Sequence, residues 1–151
     1  MSGSIRNIAV GLLIREGRVL AEEYRETERH PHFLRAIGGG IDFGERAEDA
    51  VRREFLEELG VTLTEVRLLA VTENLFALAG KAGHEVVHVF AVRSPELEET
   101  AFDARMPILD NTTTAGWFPL SDLGMPFNPD GIVAIAAELA DDPASLADPL
   151  H

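Results

Sequence analysis

At 151 residues the chain has the length of one domain that buries about two thirds of its unfolded surface. Its 46% hydrophobic and 26% charged residues are ordinary for a globular protein, and no apolar run nears the roughly 18 residues of a membrane span. The formal charge is −13, with Lys81 the single lysine beside the arginines. Such a surface repels phosphate backbones and argues against nucleic acid as a partner through any basic face. An anionic substrate stays compatible with it if a divalent cation lies between the two. The absence of cysteine removes disulfides, thiolate metal sites and thiol nucleophiles from consideration. Met1 to Asn7 lacks the basic start and apolar core of a signal peptide, so the expected compartment is the cytoplasm.

Along the chain, Ile5 to Ile14 is rich in strand-forming residues, and Glu16-Gly17 predicts a turn into a second strand over Arg18 to Glu22. Tyr24 to His32 is polar, contains Pro31 and is expected to be a loop. Phe33 to Ile37 predicts a short strand leading into Gly38-Gly39-Gly40, where a sharp turn is expected. Glu45 to Leu59 carries a helical pattern. Acidic residues occupy its first turn, where they suit the helix dipole, and Gly60 follows as the C′ residue. Strands are expected over Val66 to Glu73 and Glu85 to Arg93 with a loop between them, then over Trp117 to Leu120. Pro129 to Ala140 predicts a closing helix. The expectation is therefore one domain over residues 1–140 with a frayed tail over 141–151, in an α/β layered fold around a mixed sheet.

The helix holds the most informative residues. With Glu54 set at zero, about 100° per residue puts Glu58 near 40° and Glu57 near 300°. The three carboxylates thus share about 100° of arc. Ala47, Ala50 and Val51 lie on or beside this arc and Phe55 and Leu59 flank it, so the acids sit where the helix begins to be covered. Neighbouring like charges cost about a few tenths of a kcal/mol per pair, and more when desolvated. Arg52 and Arg53 are the only cations near. The acids call for a compensating cation, and hard carboxylate oxygens suit Mg²⁺ or Mn²⁺. On the helix alone, a merely solvated acidic face is an equal alternative.

The upstream loop breaks the tie. The pattern Gly39-x5-Glu45-x7-Arg53-Glu54-Phe55-x-Glu57-Glu58-x-Gly60-Val61 resembles the signature of the Nudix hydrolases at every fixed position. Only Phe55 is loose, since the family usually has an aliphatic residue there. The resemblance implies a loop–helix–loop on a mixed β-sheet in an α/β/α sandwich. It also implies a MutT-like pyrophosphohydrolase that cuts a nucleoside diphosphate linked to another moiety. Carried over position by position, it makes Glu54, Glu57 and Glu58 metal ligands with the Gly39 carbonyl as a further oxygen. Arg53 would orient the glutamates, and Glu45 and Gly60 would be structural. Glu58 or Glu54 would accept the proton of the attacking water.

A carboxylate beyond the signature often joins such sites, and Glu85, at the expected start of a strand, is the first choice ahead of Glu73. The chain looks most like the small enzymes acting on free (deoxy)nucleoside triphosphates. Nucleotide sugars, ADP-ribose, dinucleoside polyphosphates and RNA 5′ ends are alternatives. A non-catalytic nucleotide-binding module of the same fold is the rival from another class. Homodimers are common in such folds, but the sequence marks no interface.

Three other features read as structure. His30-Pro31-His32 has a ligand-like spacing without a second pair nearby, and a proline-containing surface loop accounts for it. His88 alternates with apolar residues as a sheet-face histidine does, and the acidic run Glu96, Glu98 and Glu99 reads as solvated. Among Tyr24, Phe33, Phe76, Trp117 and Phe127, aromatic side chains are core by default, although one could stack on a base.

Overall fold

The computed structural model describes residues 3–78 and 80–142. Two sheets organise them. The first is mixed and runs β5 (Ile37–Gly40), β1 (Ile5–Leu12), β7 (Lys81–Arg93), β6 (Glu65–Leu78), with β1 and β7 parallel and the other pairs antiparallel. The second runs β10 (Phe127–Asn128), β4 (Phe33–Arg35), β3 (Arg18–Tyr24), β9 (Thr114–Pro119), β8 (Arg105–Pro107), with β2 (Ile14–Arg15) on β3. Helix α1 spans Ala47–Leu59, a single turn α2 spans Pro95–Glu98, and α3 spans Ile132–Asp141. This is the expected α/β architecture, with a second sheet added to the mixed one.

The central strands are buried on both faces, which is why they read as apolar runs rather than alternations. Ile8, Val10 and Leu12 of β1 and Val87, Val89 and Ala91 of β7 enter a cluster with Ile132, Ala136 and Leu139 of α3. Their neighbours Ala9, Phe90 and Val92 enter the opposite cluster with Ala50, Val51 and Phe55 of α1. Phe55 is fully buried. Its ring fills space left by Gly11, where a Cβ would stand 2.6 Å from Phe55 Cε1. Burial of a side chain this size contributes about 1.5–3 kcal/mol.

Several boundaries differ from the sequence expectation. Asn74 to Leu78 and Lys81 to His84 extend a long β6–β7 hairpin rather than a loop, because each of them has a ladder partner, from Asn74↔Glu85 to Leu78↔Lys81. Gly38 to Gly40 form strand β5 rather than a turn, pairing with Val10, Ala9 and Ile8. Ala36 separates β4 from β5, and the two strands go to different sheets. The acidic run is less solvated than expected: Glu98 binds Arg93 Nη2 at 2.7 Å and accepts the Ser94 N–H at 3.0 Å. Helix α3 extends to Asp141, and the remainder of the expected frayed tail, 143–151, lies outside the described residues. Among the described residues no helix is long and apolar enough to cross a membrane.

Candidate active site

The site is built where α1 lies against β5. Glu45 precedes the helix and ties its entry loop: Oε1 accepts the Asp42 N–H at 3.0 Å. Arg53 donates from Nε to Glu45 Oε2 at 2.8 Å and from Nη2 to Glu45 Oε1 at 2.9 Å. The same guanidinium reaches the Gly40 carbonyl at 2.9 Å, Glu54 Oε1 at 3.0 Å and Glu57 Oε2 at 3.2 Å. One side chain therefore joins loop, strand and two of the three helix carboxylates. These charge-assisted bonds hold the Glu45 carboxyl down to about 2 and push Arg53 up. At the other end, Gly60 adopts φ 70° and donates its N–H to the Leu56 carbonyl at 2.9 Å, closing the helix.

Glu54 rests on the glycine strand. A Cβ on Gly39 would fall 2.6 Å from Glu54 Oε1, so only glycine leaves room for the carboxylate. Burial pushes the Glu54 carboxyl up in spite of Arg53. Glu57 is the most exposed of the three, at 49%. Glu58 is the most hidden: it is 8% exposed, and its Oε2 has no hydrogen-bond partner. Burial first, then the nearby charges of Glu22, Glu54 and Asp110, push its carboxyl up to about 8, with Arg35 pulling the other way. The Leu109 N–H donates to the Glu58 carbonyl at 2.8 Å, holding the loop that carries Asp110 against the helix end.

Among the described residues no three carboxylate or imidazole groups converge closely enough to form a metal site by themselves. Arg53 holds one oxygen each of Glu54 and Glu57. The donor set nevertheless fits a hard divalent cation, because a buried carboxylate oxygen without a partner, amid further carboxylates, is costly until a positive charge arrives.

Sequence reasoning missed four groups here. Glu22, 3% exposed on β3, accepts from Thr113 Oγ1 and, at 3.5 Å, from Asn111 Nδ2. Glu23, its neighbour on the opposite face, Arg35 on β4 and Asp110 complete the set. The only local signal was a pair of carboxylates ending an apolar strand run, Val19-Leu20-Ala21-Glu22-Glu23.

Beside the carboxylates lies a cleft of about 480 Å³ whose walls include Tyr24, Phe33, Arg35, Asn74, Phe76 and Asn128. Tyr24 and Phe33 are stacked, with centroids 4.7 Å apart and planes at 2°. Trp117 and Phe127 are instead core residues. Glu85 lines this cleft too, where Arg6 Nη1 donates to it at 3.4 Å, and it is not among the groups that shift Glu58. Glu73 pairs with His84 at 3.0 Å on the hairpin. The two loop histidines diverge. His30 Nδ1 lies 2.8 Å from the Pro31 carbonyl, and His32 Nε2 lies 2.7 Å from Glu23.

The fold has counterparts among solved structures. The MutT NUDIX hydrolase from Burkholderia pseudomallei superposes with a TM-score of 0.61 at 28% identity, covering 90% of this chain and 98% of that one. The MutT protein from Bacillus halodurans shares the fold, with a TM-score of 0.63 at 17% identity over 91% of this chain and 83% of that one. The family model described as the NUDIX domain matches residues 5–141. The chain belongs to the Nudix hydrolase family. Curated relatives match a shorter stretch. An RNA pyrophosphohydrolase of Serratia proteamaculans is 39% identical over 69 residues, which is 45% of this chain and 37% of that protein. One of Klebsiella pneumoniae is 38% identical over 69 residues, 45% of this chain and 36% of that protein. The matched segment thus spans little more than a third of these relatives.

Proposed function

We propose that the protein is a pyrophosphohydrolase that cuts the diphosphate linkage of a nucleoside diphosphate joined to another moiety. In this reading Glu54, Glu57, Glu58 and the Gly39 carbonyl hold Mg²⁺ or Mn²⁺. The observation that carries it is the Glu58 carboxylate, 8% exposed with an unpartnered Oε2 and surrounded by other acids. A bound divalent cation supplies charge neutralisation at the diphosphate and makes a water more acidic. Arg53 orients Glu54 and Glu57, and either Glu58 or Glu54 takes the proton of the attacking water. Tyr24, Phe33 and Phe76 offer the base an apolar wall, and Arg35 offers the phosphates a cation at the boundary of cleft and carboxylates. Positioning and charge stabilisation of this kind supply most of the rate in phosphoryl-type transfer.

The test is a panel of (deoxy)nucleoside triphosphates, nucleotide sugars, ADP-ribose, dinucleoside polyphosphates and RNA bearing a 5′ triphosphate. RNA belongs in it because the curated relatives are named for it. Metal-dependent product from at least one substrate is expected, with a loss of about 10²-fold or more in Glu58→Gln. Tight binding without turnover across the panel would point instead to a non-catalytic nucleotide-binding module.

A further inference from the structure

Glu22 continues the strand face that packs on α1. Its ladder partner Ala115 on β9, and Leu20 two residues before it, belong to the same core cluster as Val51 and Phe55 of that helix. Glu22 itself is 3% exposed, and its bonds go to the tip between β8 and β9. Thr113 Oγ1 and, at 3.5 Å, Asn111 Nδ2 both donate to Oε2. The Leu109 N–H of the same tip bonds the Glu58 carbonyl at 2.8 Å. The tip therefore bridges Glu22 to the C-terminal end of α1, with Asp110 between the two anchors.

Both donors to Glu22 are neutral. A glutamine side-chain oxygen could accept the same two bonds, so the tip does not require a charge at this position. The charge has a cost, because it bears on Glu58, where Glu54 and Asp110 add further negative charge. Glu58 is itself 8% exposed with an unpartnered Oε2. Arg35, opposite Glu22 on β4, and Arg53, already bonded twice to Glu45, leave this group with an excess of negative charge. Buried charges of one sign destabilise a fold until a counter-charge joins them. A buried carboxylate that the local bonds do not need and its neighbours oppose is accounted for by a cation that arrives from outside.

We infer that Glu22 is a positioning residue for the cation: without being one of the helix ligands, it supplies buried negative charge that draws the divalent cation to Glu58 and holds it there. The inference rests on the proposed cation site and adds to it a group from the second sheet, outside the helix and its loop. Groups in this outer position typically change metal affinity by about 10–100-fold. The cost falls on the protein without metal. Removing the charge relieves like-charge burial when no metal is present and weakens binding when it is. A carboxylate kept for packing behaves differently, since its loss lowers stability in both conditions.

The experiment measures Mn²⁺ binding to the whole chain by isothermal titration calorimetry, and melting temperatures in chelator and at one fixed Mn²⁺ concentration. It compares the native protein with Glu22→Gln, Thr113→Val and Glu58→Gln. In Glu22→Gln the Mn²⁺ dissociation constant should rise about tenfold or more. Its melting temperature in chelator should equal or exceed the native one, and its gain on adding Mn²⁺ should be smaller. Thr113→Val keeps the charge and removes a donor, so it should melt lower in both conditions while its dissociation constant hardly changes. An unchanged dissociation constant in Glu22→Gln, its failure to fold, or a lower melting temperature in chelator overturns the role of Glu22 and leaves the cation site standing. Equal weakening in Thr113→Val does the same, by assigning the effect to the bond rather than the charge. No Mn²⁺ binding by the native protein, or unchanged binding in Glu58→Gln, overturns the cation site itself.

Discussion

Arg53 grips Glu45 with two parallel hydrogen bonds, Nε to Oε2 at 2.8 Å and Nη2 to Oε1 at 2.9 Å. With that fork anchored, its remaining N–H donors fall on Gly40, Glu54 and Glu57. A planar guanidinium can do this, whereas a lysine ammonium cannot match the same five acceptors. Arg53→Lys is therefore expected to lose about 10²-fold or more in kcat while the fold persists. Steady-state kinetics beside circular dichroism checks this, and near-native kcat would refute the orienting role.

The Glu45 carboxyl, held down to about 2 by Arg53 and the Asp42 N–H, makes a signed contribution to acid stability. Its folded value lies below the unfolded 4.5. The stability it supplies is complete above that unfolded value and is lost as pH falls toward about 2. Glu45→Gln should therefore narrow its stability gap from the native protein as pH drops through that window, as followed by chemical denaturation.

Glu58 acts in the opposite direction. Its folded value of about 8 exceeds the unfolded 4.5, so without metal the folded state binds the extra proton. Stability from this group is complete below the unfolded value and is lost as pH rises through about 8. Melting curves in a chelator should fall across that range in the native protein and fall less in Glu58→Gln. Added Mg²⁺ or Mn²⁺ should raise the melting temperature most at the alkaline end, by mass action on the ionised carboxylates.

Gly39→Ala tests the packing of Glu54 on β5. A methyl group 2.6 Å from Glu54 Oε1 must displace the carboxylate, and a shift of about 1 Å at a catalytic group can cost about 10²-fold. Activity should drop far more than thermal stability. An unchanged kcat would show that Glu54 has freedom to move without consequence.

Glu85 is placed in the aromatic cleft against Arg6, so Glu85→Gln is expected to raise KM several-fold and leave kcat within about threefold, as for lost uniform binding. A collapse of kcat at constant KM would restore the role of base or metal partner that the sequence suggests for it.

The helix was legible because its information is local. The periodicity of Glu54, Glu57 and Glu58, the stop at Gly60 and the spacing back to Glu45 and Gly39 all lie within one continuous segment. Turn and strand patterns likewise marked β1, β3 and much of β7. Local patterns failed where the ladder overrode them: Asn74 to Leu78 and Lys81 to His84 became strand, and Gly38 to Gly40 paired with β1.

The second half of the site was decided by tertiary structure. Glu22 meets Thr113 across 91 residues of sequence, and Asp110 and Arg35 reach the surroundings of Glu58 from separate elements. No spacing rule connects such groups, because strand pairing and burial bring them together and neither is written in neighbouring residues. Helical periodicity placed three carboxylates on one face; the sheets buried one of them among other acids and set the aromatic cleft beside them. Local backbone geometry repeats along a sequence, whereas desolvation and long-range charge exist only once the chain has closed on itself.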